Sequence, residues 1–261
     1  MQNYCNRGLQ SNELCSISTT LMKTSLHTLA LGLLLSASSA SAAVYSLGHA
    51  DFGIGYDGGF ELHHHLHAGA TVNGSAILAD AEFAPGDLTV LVPFITEARP
   101  AGAGYDFLGV SSGVSIWTLP EAENVNKPFY GLGSEELAPG DFVGQLTFQL
   151  LSVVSAPVGG DFSLWQDNGG SPTVRFATSN GVDGSDSFLL TPGGHDHYNW
   201  SFTKPGTYQL EFKVSGEHGI DGFGEDIQTF TFQVVPEPSK ALFAGLGLGF
   251  VFFRRRRPVN N

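Results

Sequence analysis

The chain has 261 residues, 25 Asp and Glu against 12 Lys and Arg, and a formal net charge of −13. That surplus of acid excludes the nucleic-acid binders, whose affinity rests on Lys and Arg at phosphates. It also disfavours anionic lipid and suits cations.

The N-terminus reads as three pieces. Residues 1–21 form a polar leader holding the only two cysteines, Cys5 and Cys15; Met22-Lys23 looks like the natural start, and the leader is expected to come from an upstream start codon. Residues 22–42 read as a signal peptide: Lys23 precedes the mostly apolar Leu29 to Leu35, and Ala40-Ser41-Ala42 is an A-x-A cleavage site. His27 belongs to this segment. Cleavage by signal peptidase after Ala42 leaves Ala43 as the first residue of an exported chain without cysteine. Such a chain depends on its core rather than on disulfides, and residues 43–235 are enough to bury roughly 70% of their extended surface. From Ala43 to Glu237 there are 24 Asp and Glu against five Lys and Arg.

Residues 43–235 predict a single all-β domain, an antiparallel β-sandwich of roughly ten strands, Ig-like or jelly-roll-like. Leu146, Phe148 and Leu150 alternate with Gln145, Thr147 and Gln149; Tyr208, Leu210, Phe212 and Val214 alternate with Gln209, Glu211 and Lys213; Phe230, Phe232 and Val234 alternate with Thr229, Thr231 and Gln233. Period two with one apolar face is the half-buried strand. Turn signals such as Asp57-Gly58, Asn168-Gly169, Pro205-Gly206 and Asp221-Gly222 separate the runs. Two catalytic-looking patterns lack their context. Gly53 to Gly58 spells G-x-G-x-x-G but leads into the strand-like Phe60 to His67, and Gly109 to Gly113 spells G-x-S-x-G but leads into the strand-like Val114 to Leu119.

Residues 236–261 are a sorting tail. Val235-Pro236-Glu237-Pro238 precedes an apolar run from Ala241 to Phe253 and a stop of four arginines, Arg254, Arg255, Arg256 and Arg257. Thirteen helical residues rise about 20 Å, short of a hydrocarbon core about 30 Å thick. The arginines resist entry into lipid. The segment suits transient insertion in the inner membrane better than permanent anchorage. It resembles the PEP-CTERM signal, which implies removal of the tail by an exosortase and a final location at the cell envelope, surface or extracellular matrix.

A second resemblance lies in the domain. Gly194-His195-Asp196-His197-Tyr198-Asn199-Trp200-Ser201-Phe202-Thr203-Lys204-Pro205-Gly206-Thr207-Tyr208 is similar to the signature of choice-of-anchor M domains, related to an actinobacterial surface-anchored repeat. Gly48-His49-Ala50-Asp51 and Ile116-Trp117-Thr118-Leu119-Pro120 fit the same pattern in the same order. The resemblance implies a surface-anchored domain and hints at metal handling.

Eight of the nine histidines lie in this domain. On a strand from Phe60, residues Phe60, Leu62, His64 and Leu66 share one face, and Glu61, His63, His65 and His67 the other. His195 and His197 share a face, as do His49 and Asp51. Same-face imidazoles about 7 Å apart can converge on one ion, and imidazole with carboxylate suits a transition metal such as Zn, Cu, Ni or Mn. The candidate metal residues are therefore His49, Asp51, His63, His65, His195 and His197. His218 reads as a solvated loop residue. Acidic loops such as Asp183 to Asp186 and Glu225-Asp226 could bind calcium weakly, but they lack EF-hand spacing and read rather as solvated turns. Trp117, Trp165 and Trp200 read as core residues rather than sugar platforms. The expected function is that of a non-catalytic surface or matrix protein binding a transition metal. A structural or adhesive exopolysaccharide-matrix module without metal is the alternative, and a secreted hydrolase ranks third.

Overall fold

A computed structural model describes residues 41–237. The leader, the signal segment as far as Ala40, Pro238 and the remainder of the tail with Arg254 to Arg257 lie outside the described residues.

The described chain is built from strands β1 (Ala43–Tyr56), β2 (Phe60–Leu66), β3 (Thr71–Val72), β4 (Ser75–Ala76), β5 (Ala81–Phe83), β6 (Leu88–Val92), β7 (Thr96–Ala98), β8 (Ser115–Leu119), β9 (Pro128–Gly133), β10 (Leu146–Ser155), β11 (Phe162–Asp167), β12 (Pro172–Ala177), β13 (Ser187–Leu190), β14 (His195–His197), β15 (Asn199–Phe202), β16 (Gly206–His218) and β17 (Gly222–Val234). Seventeen strands exceed the ten expected, because β3, β4, β5, β7 and β14 are two or three residues long, too short to show alternation. The helical elements among the described residues are three 3₁₀ turns, Ala103–Leu108, Pro139–Asp141 and Thr178–Asn180, and no described helix is long and apolar enough to cross a membrane.

Two sheets form an all-β sandwich. The larger runs β13-β10-β16-β17-β6-β1-β2-β5, with β9 and β14 added beside β1 and the β3–β4 pair beside its start; the smaller runs β12-β11-β15-β8-β7. Most pairs are antiparallel, as expected, but β6 runs parallel to β1 and β17, and β9 parallel to β1. Alternation is obeyed where it was read. Leu146, Phe148, Leu150, Tyr208, Leu210, Phe212, Val214, Phe230, Phe232 and Val234 are all fully buried. They meet Trp200, Phe202 and Phe162 from the smaller sheet in one aromatic core. The indole N–H groups are satisfied: Trp200 donates to the Tyr130 carbonyl, Trp117 to the Val235 carbonyl and Trp165, in a smaller cluster with Tyr105, Leu108 and Ile116, to Ser201 Oγ, each at 2.9 Å. All three tryptophans are core residues, as the sequence suggested. The Gly109 to Gly113 segment is a turn leading into β8, with no helix after it.

One feature of β1 positions the candidate site. Its first part pairs with β6 and β3, and its second part with β2 and β9. Gly48 sits at the changeover with φ +89°, and a Cβ there would approach Ala70 Cα to 2.9 Å, so glycine is required on both counts. The irregularity changes the phase of the strand. Tyr45 and Phe52, of opposite parity, both face the core at 0% exposure. Beyond Gly48, Ala50, Phe52 and Ile54 face in, while His49, Asp51, Gly53 and Gly55 face out.

Candidate metal centre

The centre lies on the outer face of the five-strand part of the large sheet ordered β5-β2-β1-β9-β14. Register decides what meets there. Asp51 lies opposite His65 on β2 and opposite Gly131 on β9. His197 lies opposite Gly131 and His195 opposite Gly133. His65 lies opposite Glu82 on β5. One row across the sheet therefore reads Glu82, His65, Asp51, Gly131, His197. The glycines form a floor under the imidazoles. A Cβ on Gly131 would come within 2.1 Å of Asp51 Oδ1 and 3.0 Å of His195 Nε2, and one on Gly53 within 2.3 Å of His63 Nε2.

The strand β14 is the edge of this face, and the chain then crosses to the smaller sheet as β15. His195 and His197 stand on the outer surface while Trp200, three residues on, is at the core. The stretch from Gly194 to Tyr208 thus spans both sheets. Its Pro205-Gly206 turn is closed by the Tyr208 hydroxyl, which donates to the Lys204 carbonyl (3.0 Å) and accepts from the Lys204 amide (3.2 Å).

His49, Asp51, His195 and His197 form one group whose donor atoms all lie within 4.8 Å of one another. Asp51, almost fully buried, is its hub. Its Oδ1 is 2.9 Å from His195 Nε2, and its Oδ2 is 3.0 Å from His67 Nε2 and 3.5 Å from His49 Nε2. Burial alone would raise the Asp51 carboxyl; the imidazoles of His49, His195 and His67 outweigh it and hold it at about 2. His49 stacks on His67 at 4.2 Å, and His197 lies flat on Phe129 at 3.6 Å. Desolvation pushes His197 down to about 4 despite the nearby Asp51 charge, so its ring is neutral and able to act as a ligand at pH 7. His49 Nε2 and His197 Nδ1 are shut off from solvent without a hydrogen-bond partner.

His63 and His65 belong to an adjoining group with Glu82 and Glu136. Glu136 Oε1 lies 3.0 Å from His63 Nε2 and 3.2 Å from His65 Nδ1. The three same-face pairs read from the sequence therefore share one sheet face but form two clusters rather than one. His67 links them. It contacts Asp51 and falls in a third group with His65 and Asp80. Sequence reasoning set His67 on the right face but left it out of the site. It missed Glu135, Glu136, Glu82 and Asp80, which are local only in three dimensions. The glycine floor did leave a signal: Gly53 and Gly55 alternate with buried Phe52 and Ile54, and Gly131 and Gly133 with buried Tyr130 and Leu132.

Two sequence expectations change. His218 ends β16, stacks on Tyr56 at 4.5 Å and pairs with Asp221 at 2.9 Å, so it is a packed strand residue and not a solvated loop one. Of the acidic segments, Asp183 to Asp186 is a turn, but Glu225-Asp226 lies within strand β17. Asp186 accepts from the amides of Ala177 (3.0 Å) and Asp183 (2.9 Å), and Asp226 from those of Leu62 and Ile227, both at 2.8 Å. Neither carboxylate joins a convergent group of His, Cys, Asp and Glu side chains among the described residues.

His64, on the core side of β2, is fully buried beside Phe230 and 2.8 Å from the Tyr130 hydroxyl. Desolvation drives it down to about 3. As pH falls below about 6.5 the unfolded chain takes up protons that folded His64 and His197 refuse, so stability declines with acid. Between pH 6.5 and 4, His64 alone is expected to cost the metal-free domain about 3 kcal/mol. The contribution of Asp51 has a different window: present above its ordinary value of 3.8, it is lost as pH falls through about 2. Urea titrations at pH 7, 5.5 and 4 measure the slope. His64→Phe should flatten it, and a flat profile for the unaltered protein would show that His64 is not held neutral.

No protein-family model matches the chain, and none of the curated proteins or solved structures compared with it is significantly similar.

Proposed function

We propose that the chain is a non-catalytic protein of the cell surface or extracellular matrix whose β-sandwich binds a transition-metal ion through His49, Asp51, His195 and His197. The observation that carries this reading is the convergence of those four side chains, from strands far apart in sequence, onto one point above a floor of glycine. Three imidazoles and one carboxylate favour Zn, Cu or Ni, with Mn next. A preformed arrangement of this kind lowers the cost of ordering ligands around the ion.

Export and sorting remain part of the proposal. The expected mature N-terminus, Ala43, is the first residue of β1, its amide donating to the Asp87 carbonyl at 2.8 Å. At the other end β17 stops at Val234, and Pro236-Glu237 follow at once as coil. Glu237 accepts a hydrogen bond from the Thr96 hydroxyl. Signal peptidase and exosortase would thus cut just outside the folded body after a transient inner-membrane stage. The matrix-module reading also has an observation in its favour: the Asp51 contacts with His67 and His195 make a self-sufficient ion-pair network when the imidazoles are protonated.

The test is isolation of the native protein from the envelope fraction, with mass spectrometry of both ends and elemental analysis of the same sample. The expected species begins at or near Ala43, ends near Pro238 and carries at least one equivalent of Zn, Cu, Ni or Mn. A mature species retaining Arg254 to Arg257 would overturn exosortase sorting in favour of a permanent anchor. A metal-free protein with no thermal response to these ions would leave the matrix module.

A further inference from the structure

We propose that the same sheet face holds two metal ions side by side, the second bound by His63, His65, Glu82 and Glu136. This rests on the reading that the first cluster binds metal, and adds a site of different chemistry next to it. Two imidazoles and two carboxylates make the second set harder than the first, so it should discriminate less against Mn than the first set does.

The arrangement of nitrogen and oxygen atoms points to a cation. A neutral imidazole carries one N–H and so satisfies one acceptor. His63 Nδ1 lies 3.3 Å from the Glu61 carbonyl, and its Nε2 lies 3.0 Å from Glu136 Oε1. Both partners are oxygen acceptors, so a ring carrying a single N–H leaves its other nitrogen lone pair facing an oxygen. His195 repeats the pattern, with Nε2 2.9 Å from Asp51 and Nδ1 3.4 Å from Glu135. His65 Nδ1 is shut off from solvent with no hydrogen-bond partner, facing Glu136 at 3.2 Å and Glu82 at 3.9 Å. A metal ion placed among these atoms would be met by nitrogen and oxygen lone pairs converging in each cluster.

The loop after β9 is built to serve both positions. Ser134 anchors it: its Oγ lies 3.1 Å from both the Thr191 and Gly194 carbonyls, with one O–H shared between them, and its amide donates to the Gly194 carbonyl at 2.8 Å. The next two residues then part, Glu135 toward His195 and Glu136 toward His63 and His65. Between the clusters lies a hollow of about 170 Å³, floored by Gly53 and Gly133 and walled by Asp51, His65, Glu135 and Glu136. Set against a liquid water share of about 30 Å³, it has room for a few waters to complete both coordination shells.

The test is a calorimetric titration of the processed protein, stripped with chelator and then titrated with Zn²⁺. Two equivalents are expected for the unaltered chain, one for His195→Ala with His197→Ala, and one for His63→Ala with His65→Ala. Glu136→Gln, on a half-exposed loop residue that the core does not need, should weaken only one of the two binding events, by roughly ten- to a hundredfold. One equivalent in the unaltered protein, lost with His195 and His197, would overturn the second ion and leave the proposed function intact. No binding at all would overturn both. Two equivalents persisting without His63 and His65 would overturn the assignment of ligands.

Discussion

Phe212→Asp is expected to unfold the domain. Phe212 is fully buried on β16 and touches rings from both sheets. It stacks on Phe148 at 5.5 Å, meets Phe52 edge-on at 5.3 Å and Trp200 at 6.2 Å. Truncating such a ring costs about 3–5 kcal/mol. A carboxyl buried there without a partner adds the desolvation of a polar or charged group, another few kcal/mol. The sum approaches the roughly 5–15 kcal/mol that holds a domain together. Far- and near-ultraviolet circular dichroism would register the loss. Glu211→Gln is the control: Glu211 lies on the outer face, its carboxylate accepting from Ser152 Oγ at 3.0 Å, and its replacement should cost under about 1 kcal/mol. A folded Phe212→Asp protein would mean that β16 does not face this core.

The second large effect concerns metal. At a free ion concentration 100-fold above Kd, binding to the native state adds about 2.7 kcal/mol. For a domain of this size that raises Tm by roughly 5–10 °C. His195→Ala with His197→Ala should abolish the shift from the first ion while the metal-free protein stays folded. Both residues sit on the short edge strand β14, and neither packs in the core. Because bound imidazoles must be deprotonated, the shift should also shrink as the pH is lowered. From the sequence, His63→Ala with His65→Ala would have the same effect if all pairs shared one site. In the structure they stand in the adjoining cluster, so that variant should keep a response to Zn²⁺. Differential scanning calorimetry with Zn, Cu, Ni and Mn distinguishes these outcomes, and an unchanged response in the His195/His197 variant would remove that pair from the site.

The fold class was legible because strand alternation is a local property. The runs 146–150, 206–214 and 230–234 declare an apolar face within a few residues, and each of those faces is buried in the structure. The same period placed His63, His65 and His67 opposite His64, and set His49 with Asp51 and His195 with His197. Alternation says which residues share a face of one strand, but not which strands are neighbours. The pairing of β1 with β9 and of β9 with β14 joins residues about 80 and 65 positions apart, and depends on where all the apolar faces pack at once. That register made Asp51 the hub and brought in Glu82, Glu135 and Glu136. The phase change at Gly48 was equally invisible, because it follows from a close approach to Ala70, 22 positions downstream. Residue types and their faces were thus determined by the sequence alone, because side-chain direction repeats every two residues. The convergence of the histidines into two clusters, and the glycine floor that makes room for them, were decided only by the tertiary structure, because sheet register is set by non-local packing.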